Sequence, residues 1–350
     1  MPDLELHSIL EQFQIDHSKT AKFQVINQGY INDTYLVFVS SRPKFILQRI
    51  NTSIFKNIEA IHNNLDVVLP LLQDQNYTQI DLIKTRANAN YFIKDLDSWR
   101  LLTYVDNSVA HNFSSDVNIA FEAGRILGRF HDLLKNISIE DITDTLPKLN
   151  YLPFHIKGFK TALKNSSPSL LSEAKAEIAF AQSTFSRFEA FYKAKLPLRV
   201  CHNDTKLNNI LFHKSSGKGQ CFIDLDTIMP GYFHYDFGDI IRTAVSETKE
   251  DETDLSKIRF NLNLFTHVVQ GVKSSDLVLT EDEIILLPLS CALLPFMHGL
   301  RALTDYLNGN IHYKVTYENQ NLDRCRSLFK VSQLALEKQV EIEQIINRIL

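Results

Sequence analysis

Among its 350 residues the chain has only four cysteines, Cys201, Cys221, Cys291 and Cys325, and no two form a Cys-x-x-Cys pair. Cys201 and Cys221 fall in stretches that read as buried strands, where cysteine acts as a small hydrophobe, so neither disulfides nor zinc are expected. Long apolar runs are also missing: the longest, 284–297, is short for a membrane span and contains Pro288 and Pro295. Residues 1–15 read as an acidic amphipathic helix without the basic start and apolar block of a signal peptide, so a cytoplasmic protein with no membrane contact is expected. There is no basic excess. With 37 Lys and Arg against 41 Asp and Glu, the formal net charge is -4, and no basic stripe is interleaved with aromatics, which argues against nucleic acid as a partner. Internal repeats, low-complexity tracts and long heptads are absent, and no segment suggests a protein partner. The length suggests about two domains with an ample core.

What is present centres on residues 200–212, Val-Cys-His-Asn-Asp-Thr-Lys-Leu-Asn-Asn-Ile-Leu-Phe, followed by Cys221-Phe222-Ile223-Asp224-Leu225-Asp226. An apolar run enters, a polar loop carries His202, Asp204 and Asn209, and an apolar run leaves. A short turn containing Gly217 and Gly219 then returns the chain into a third apolar strand ending at Asp224. Phosphoryl transfer from a nucleotide needs a carboxylate to accept the acceptor's proton, plus an amide and a second carboxylate to hold Mg²⁺ against the phosphates. Asp204 is assigned as the base, and Asn209 and Asp224 as the oxygen ligands that a hard cation prefers. His202 is assigned to the catalytic loop as the group that orients it. An Asx-rich hairpin is the bland alternative, but His-x-Asp-x₄-Asn followed by an apolar-Asp pair is a compound signal.

This loop resembles the catalytic core of the aminoglycoside phosphotransferase and choline kinase superfamily, small-molecule kinases that share the protein-kinase bilobal fold. More narrowly, residues 29–35 (Gly-Tyr-Ile-Asn-Asp-Thr-Tyr), 46–51 (Ile-Leu-Gln-Arg-Ile-Asn), 202–209, 236–239 (Asp-Phe-Gly-Asp) and 303–309 (Leu-Thr-Asp-Tyr-Leu-Asn-Gly) are together similar to N-acetylhexosamine 1-kinases. The resemblance implies an α+β protein with an antiparallel-sheet N-lobe over 1–103 and a mainly helical C-lobe over 104–350. It implies ATP as co-substrate, Mg²⁺, and a sugar acceptor phosphorylated at its anomeric hydroxyl. Kinases for other small alcohols (homoserine, choline or ethanolamine, an aminoglycoside) and a non-catalytic pseudokinase are the alternatives.

Alternation and clustering of apolar residues mark strands at 23–28, 34–40 and 45–50, with connections at Gly29 and at 41–44. The first connection has one glycine and is not Gly-x-Gly-x-x-Gly; the backbone of Gly29, Tyr30, Ile31, Asn32 and Asp33 is the candidate phosphate cover. A protein kinase carries a phosphate-gripping lysine on its third strand, but here that place reads Gln48-Arg49. Either Gln48 contacts phosphate or a bulge turns Arg49 inward. A helix over 54–73 is expected to pack on this sheet, with Glu59 exposed. Strands follow at 80–84, 91–94 and 99–105, and the resemblance places adenine against the backbone around Thr103 and Val105.

Further on, Ser114-Ser115 are candidate caps for a helix through 121–134, and 173–194 reads as one long amphipathic helix. Helices are also expected near 255–272, 280–297 and 321–350. The resemblance implies that Asp236 and Asp239 are supports that brace the catalytic loop. No dense acidic cluster stands ready for a cationic acceptor. The resemblance therefore assigns Thr227, Arg301 and Tyr317 to the hydroxyls and acetamido carbonyl of a neutral sugar.

Overall fold

Apolar alternation in the first hundred positions builds a six-stranded antiparallel sheet. In the computed structural model, which describes residues 3–16, 18–26 and 32–350, the strands are β1 (Lys22–Ile26), β2 (Asp33–Val39), β3 (Arg42–Ile50), β4 (Leu82–Ile83), β5 (Phe92–Lys94) and β6 (Asp97–Thr103). They lie in the order β1-β2-β3-β6-β4, with β5 also paired to β6. The expected connection over 41–44 is corrected. The turn is Ser40-Ser41, with φ of 51° and 63°, and β3 begins at Arg42, with a register shift beside Pro43. One face of the sheet presents Tyr35, Val37, Leu47, Trp99 and Leu101. These bury against Leu6, Ile9 and Leu10 of α1 (Asp3–Leu10) and against Phe13, forming the smaller of two cores.

The next helix departs from expectation. It is shorter, α2 (Ile58–Val68), because the Asn57 side chain caps its start and a 3₁₀ turn at Leu69–Leu71, containing Pro70, ends it. Its buried residues Ile61, Leu65 and Val68 join the larger core, not the one under α1. Asn64 gives the reason: its amide nitrogen donates to the carbonyls of Thr143 (2.8 Å) and Ile228 (2.9 Å), and its oxygen accepts from the Thr143 N–H (2.8 Å). The helix is thus tied to the second lobe.

That lobe contains β7 (Ser108–Val109), α3 (Val117–Leu134), α4 (Leu152–Asn165), α5 (Pro168–Glu173), α6 (Lys175–Thr184) and α7 (Glu189–Lys193). Then come β8 (Arg199–Cys201), β9 (Ile210–His213), β10 (Gly219–Phe222), β11 (Met229–Gly231), α8 (Phe233–Ala244), α9 (Leu262–Lys273), α10 (Glu281–Leu307), α11 (Gln320–Glu337) and α12 (Gln339–Ile349). Asp116, rather than either serine before it, caps α3 by accepting the Asn118 N–H. Helices α3 and α9 meet through their backbones: a Cβ on Gly124 would lie 2.0 Å from the Val268 carbonyl oxygen, and one on Gly271 would lie 2.0 Å from that of Phe121. The single helix expected over 173–194 is broken into α5, α6, a 3₁₀ turn at Phe185–Phe188 and α7. The aromatic stripe wraps α10 instead of running straight, with the Phe185 and Phe188 rings 6.0 and 5.1 Å from Phe296. The C-terminal stretch likewise divides at Lys338. Helix α10 starts in a capping box between Thr280 and Glu283. By length and composition it could cross a membrane, but 72% of its apolar window is buried within the fold, where it forms the axis of the larger core.

Candidate active site

The loop from β8 to β9 is built around Asn203, whose φ of 64° is left-handed, a conformation that asparagine tolerates better than most residues. Its side-chain nitrogen donates to the carbonyls of Cys201, Thr227 and Met229 at 3.2–3.3 Å, pinning the turn. From the first turn of α8, buried Asp236 accepts the N–H groups of His202 (2.8 Å) and Asn203 (2.7 Å), and its own carbonyl accepts the Thr205 hydroxyl (2.6 Å). His131 sits 3.0 Å from the same carboxylate. His202 is fully buried, with Nε2 2.9 Å from the Ile223 carbonyl and Nδ1 receiving the Asp204 N–H at 3.3 Å. This pattern fits the Nε2–H tautomer and ties the loop to the strand before Asp224.

On this frame Asp204 meets Asn209 and a residue given no role above, Lys206. The Asn209 side-chain nitrogen donates to the Asp204 carbonyl (2.8 Å) and carboxylate (3.0 Å), and the Lys206 ammonium lies 2.8 Å from that carboxylate. With its nitrogen engaged, Asn209 keeps its side-chain oxygen for another partner. Asp224 is left-handed at φ 61°, and its carboxylate accepts no hydrogen bond from any described residue. Burial first, then the Asp226 and Asp204 charges, push its carboxyl up to about 6, against the opposing pull of Lys206 and Arg100. Burial works against the Lys206 charge, but Asp204 and Asp224 outweigh it and its pKa is raised. An unbonded carboxylate, an available amide oxygen and a local excess of negative charge suit a hard divalent cation such as Mg²⁺. The set can also accept a proton at Asp204.

The ambiguity on β3 resolves from strand register. Gln48 faces inward, accepting from the Arg100 Nε (2.9 Å) and donating to the Thr34 hydroxyl (3.2 Å). Arg49 leaves from the opposite face and pairs with Asp33 and Asp97, so the structure does not bring Arg49 or Asp33 to the loop. Asn32 does reach it: its nitrogen donates to Asp226 (2.7 Å) and its oxygen accepts the Asn51 N–H (3.0 Å). Gly29, Tyr30 and Ile31 lie outside the described residues. Between the lobes, the Thr103 hydroxyl accepts the Asp81 N–H and the Val105 carbonyl accepts the Ser108 hydroxyl.

The acceptor residues divide. Thr227 is buried and its hydroxyl donates to the His202 carbonyl (2.7 Å), so it has only lone pairs left for a ligand. The side chain of Arg301, half-buried on α10, forms no ion pair or hydrogen bond among the described residues. Burial and then the Arg301 charge push His155 down to about 4. Tyr317 is exposed and donates to Asp323. Asp239 makes no contact with the catalytic loop such as Asp236 makes; its carboxylate lies against Arg242 (2.6 Å) and His298 (3.2 Å).

Beside the Arg100–Asp226 pair, His62 on α2 is buried with neither ring nitrogen bonded, stacked 4.6 Å from Tyr91. Burial, and then the Arg100 charge, lower its pKa to about 3. A histidine kept neutral in the fold but protonated when unfolded makes the unfolded state the better proton binder, so stability falls as pH drops below about 6.5. At pH 5 the penalty from His62 is on the order of 2 kcal/mol. Urea unfolding of His62→Gln is expected to show a smaller loss between pH 7 and pH 5 than the unaltered protein; an equal loss would place the acid sensitivity elsewhere.

The phosphotransferase enzyme family model matches residues 22–266, and the chain belongs to this family. Its fold is the kinase-like bilobal one. Among solved structures it is similar to a microcompartment-associated aminopropanol kinase (TM-score 0.66, 16% identity, covering 98% of this chain and 99% of that one). It is also similar to a spectinomycin phosphotransferase in complex with ADP and spectinomycin (0.65, 12%, covering 96% and 98%). A choline/ethanolamine kinase family protein from Mesorhizobium loti also matches (0.56, 14%, covering 98% and 99%).

Proposed function

We propose that the protein transfers the γ-phosphoryl of ATP to the anomeric hydroxyl of N-acetylglucosamine or N-acetylgalactosamine. Asp204 takes the acceptor's proton, and an anomeric hydroxyl, more acidic than an ordinary alcohol, suits a carboxylate base of modest strength. Asn209 and Asp224 hold Mg²⁺, which when bound neutralises phosphate charge. Lys206 stands beside Asp204 as a further positive group on that side. Asp236 and His202 keep the loop in shape. Adenine takes the backbone between the lobes, where the Val105 N–H donates to no described group.

The observation that carries the acceptor class is the state of the charges around α10. Asp239 and Glu250 both pair with Arg242, with His298 beside Asp239 and Arg324 beside Glu250, while the second Asp239 oxygen is buried without a partner. Asp305 is filled by the N–H groups of His312 and Tyr313 and by Asn321. Arg301 has no acidic partner among the described residues, and its side chain is a donor suited to the hydroxyl and carbonyl oxygens of a neutral acceptor.

The test is ADP release with Mg²⁺ and ATP over both N-acetylhexosamines, glucose, galactose, homoserine, aminopropanol, choline and an aminoglycoside. Each positive is checked for loss of the reducing end. Turnover of an N-acetylhexosamine with loss of reducing character is expected; turnover confined to an amino alcohol would replace the acceptor while keeping the base and metal site. Arg301→Ala should raise the sugar KM roughly 10- to 100-fold, the loss of a charged hydrogen bond, with the ATP KM unchanged. Unaltered sugar kinetics would remove Arg301 from the site.

A further inference from the structure

Protein kinases grip the nucleotide with a lysine on the third strand, held by a glutamate from the adjacent helix. Here β3 offers Gln48, and Glu59 on α2 is exposed while the buried His62 is neutral. Neither half of that pair is in its usual place. Directly across from Gln48 in the strand register stands Arg100 on β6, so the two side chains leave the same face as cross-strand neighbours. Resting on the phosphotransferase reading above, we propose that Arg100 is the cation that grips the nucleotide phosphates, with Asp226 as the acidic partner that holds it.

The guanidinium is fixed on two sides. Its Nε donates to Gln48 Oε1 at 2.9 Å, and Gln48 is itself held by Thr34. Its Nη1 pairs with Asp226, whose other oxygen accepts from Asn32. Among the described residues Nη2 makes no hydrogen bond, leaving a donor of a planar fork that suits phosphate oxygens. Arg100 is 1% exposed, and removing an arginine from water costs several kcal/mol, so an ion pair alone is weak ground for keeping it there. Its place supplies a use. Asp226 lies two residues beyond Asp224, and the Arg100 charge reaches the Asp224 carboxylate. The cation therefore stands between the sheet and the candidate Mg²⁺ ligands, where the phosphates of a metal-bound nucleotide must lie. The opposing acid comes from the metal loop of the second lobe instead of from a helix of the first.

The test is calorimetric binding of adenosine, AMP, ADP and ATP, with Mg²⁺, to the full chain. Arg100→Gln is expected to weaken ADP and ATP binding roughly 10- to 100-fold while adenosine binding stays within about twofold. Adding Gln48→Lys to Arg100→Gln, which restores a cation from the opposite strand, should recover at least tenfold of the lost ATP affinity. A folded Arg100→Gln protein with an unchanged ratio of ATP to adenosine affinity would overturn the proposal. If the variant does not fold, a structure of the unaltered protein with Mg²⁺ and a non-hydrolysable ATP analogue decides. A phosphate oxygen within about 3.5 Å of the Arg100 guanidinium supports it, and phosphates seated beyond its reach overturn it. Failure of the unaltered protein to bind any nucleotide would instead bring down the ATP reading, and this inference with it.

Discussion

Asp204→Asn is expected to lower kcat by roughly 10² to 10⁴ while ATP still binds, because a positioned general base contributes about that much to rate and asparagine cannot take the proton. The substitution keeps the shape of the loop. Asparagine retains an oxygen for the Asn209 amide, and the braces of the loop come from elsewhere, through the backbone N–H groups of His202 and Asn203 on Asp236. Lys206 loses its closest carboxylate but stays near Asp224. The measurement is steady-state turnover on whichever acceptor the panel identifies, beside calorimetric ATP affinity. A variant with unimpaired turnover would strip Asp204 of the role of base, and a loss of ATP binding in step with turnover would make it a nucleotide-site residue.

Asp224→Asn is expected to remove the dependence of nucleotide binding on Mg²⁺ altogether and to lower turnover by more than about 10³, since one of two hard-oxygen ligands becomes neutral. The unaltered protein should bind ATP at least tenfold more tightly with Mg²⁺ than with EDTA, and the variant should bind it equally in both. A variant that keeps the Mg²⁺ advantage would move the metal to other ligands. The metal-free protein supplies an internal control for folding. The Asp224 carboxylate has no hydrogen-bond donor among the described residues and faces the charges of Asp226 and Asp204. Removing its charge should raise the melting temperature of the metal-free protein even as activity disappears, the usual opposition between stability and a charged site. A lowered melting temperature would mean that the lost activity reports misfolding.

The catalytic loop was legible because its signal is local: His202, Asp204, Asn209 and Asp224 fall within 23 residues, on a strand-loop-strand pattern that any apolar alternation reveals. Lys206 was visible in the same stretch, and the spacing Asp-x-Lys was the available signal for it. The Gln48–Arg100–Asp226 chain was not legible. It depends on which residue of β6 falls opposite Gln48 and on a contact spanning 126 positions between Arg100 and Asp226. For Arg49, strand alternation had already put it on the face of Leu47, and the unbulged register at that point leaves it there. The broken helix after residue 173 was hidden for a different reason. Phenylalanines at helical spacing look the same whether the backbone runs straight or bends to follow Phe296. The bond from the Thr227 hydroxyl to the His202 carbonyl, spanning 25 positions, was likewise not legible.

The anchoring of α2 bears on how such an enzyme opens and closes. Asn64 bonds to Thr143 and Ile228 of the large lobe, and Ile61, Leu65 and Val68 are part of its core, so the helix moves with that lobe. The sheet is fastened to the same lobe by Arg100 and Asn32, which both bond to Asp226. A switch that turns the enzyme off by swinging this helix outward, dragging an acidic partner from the phosphate-gripping cation, has nothing to act on here.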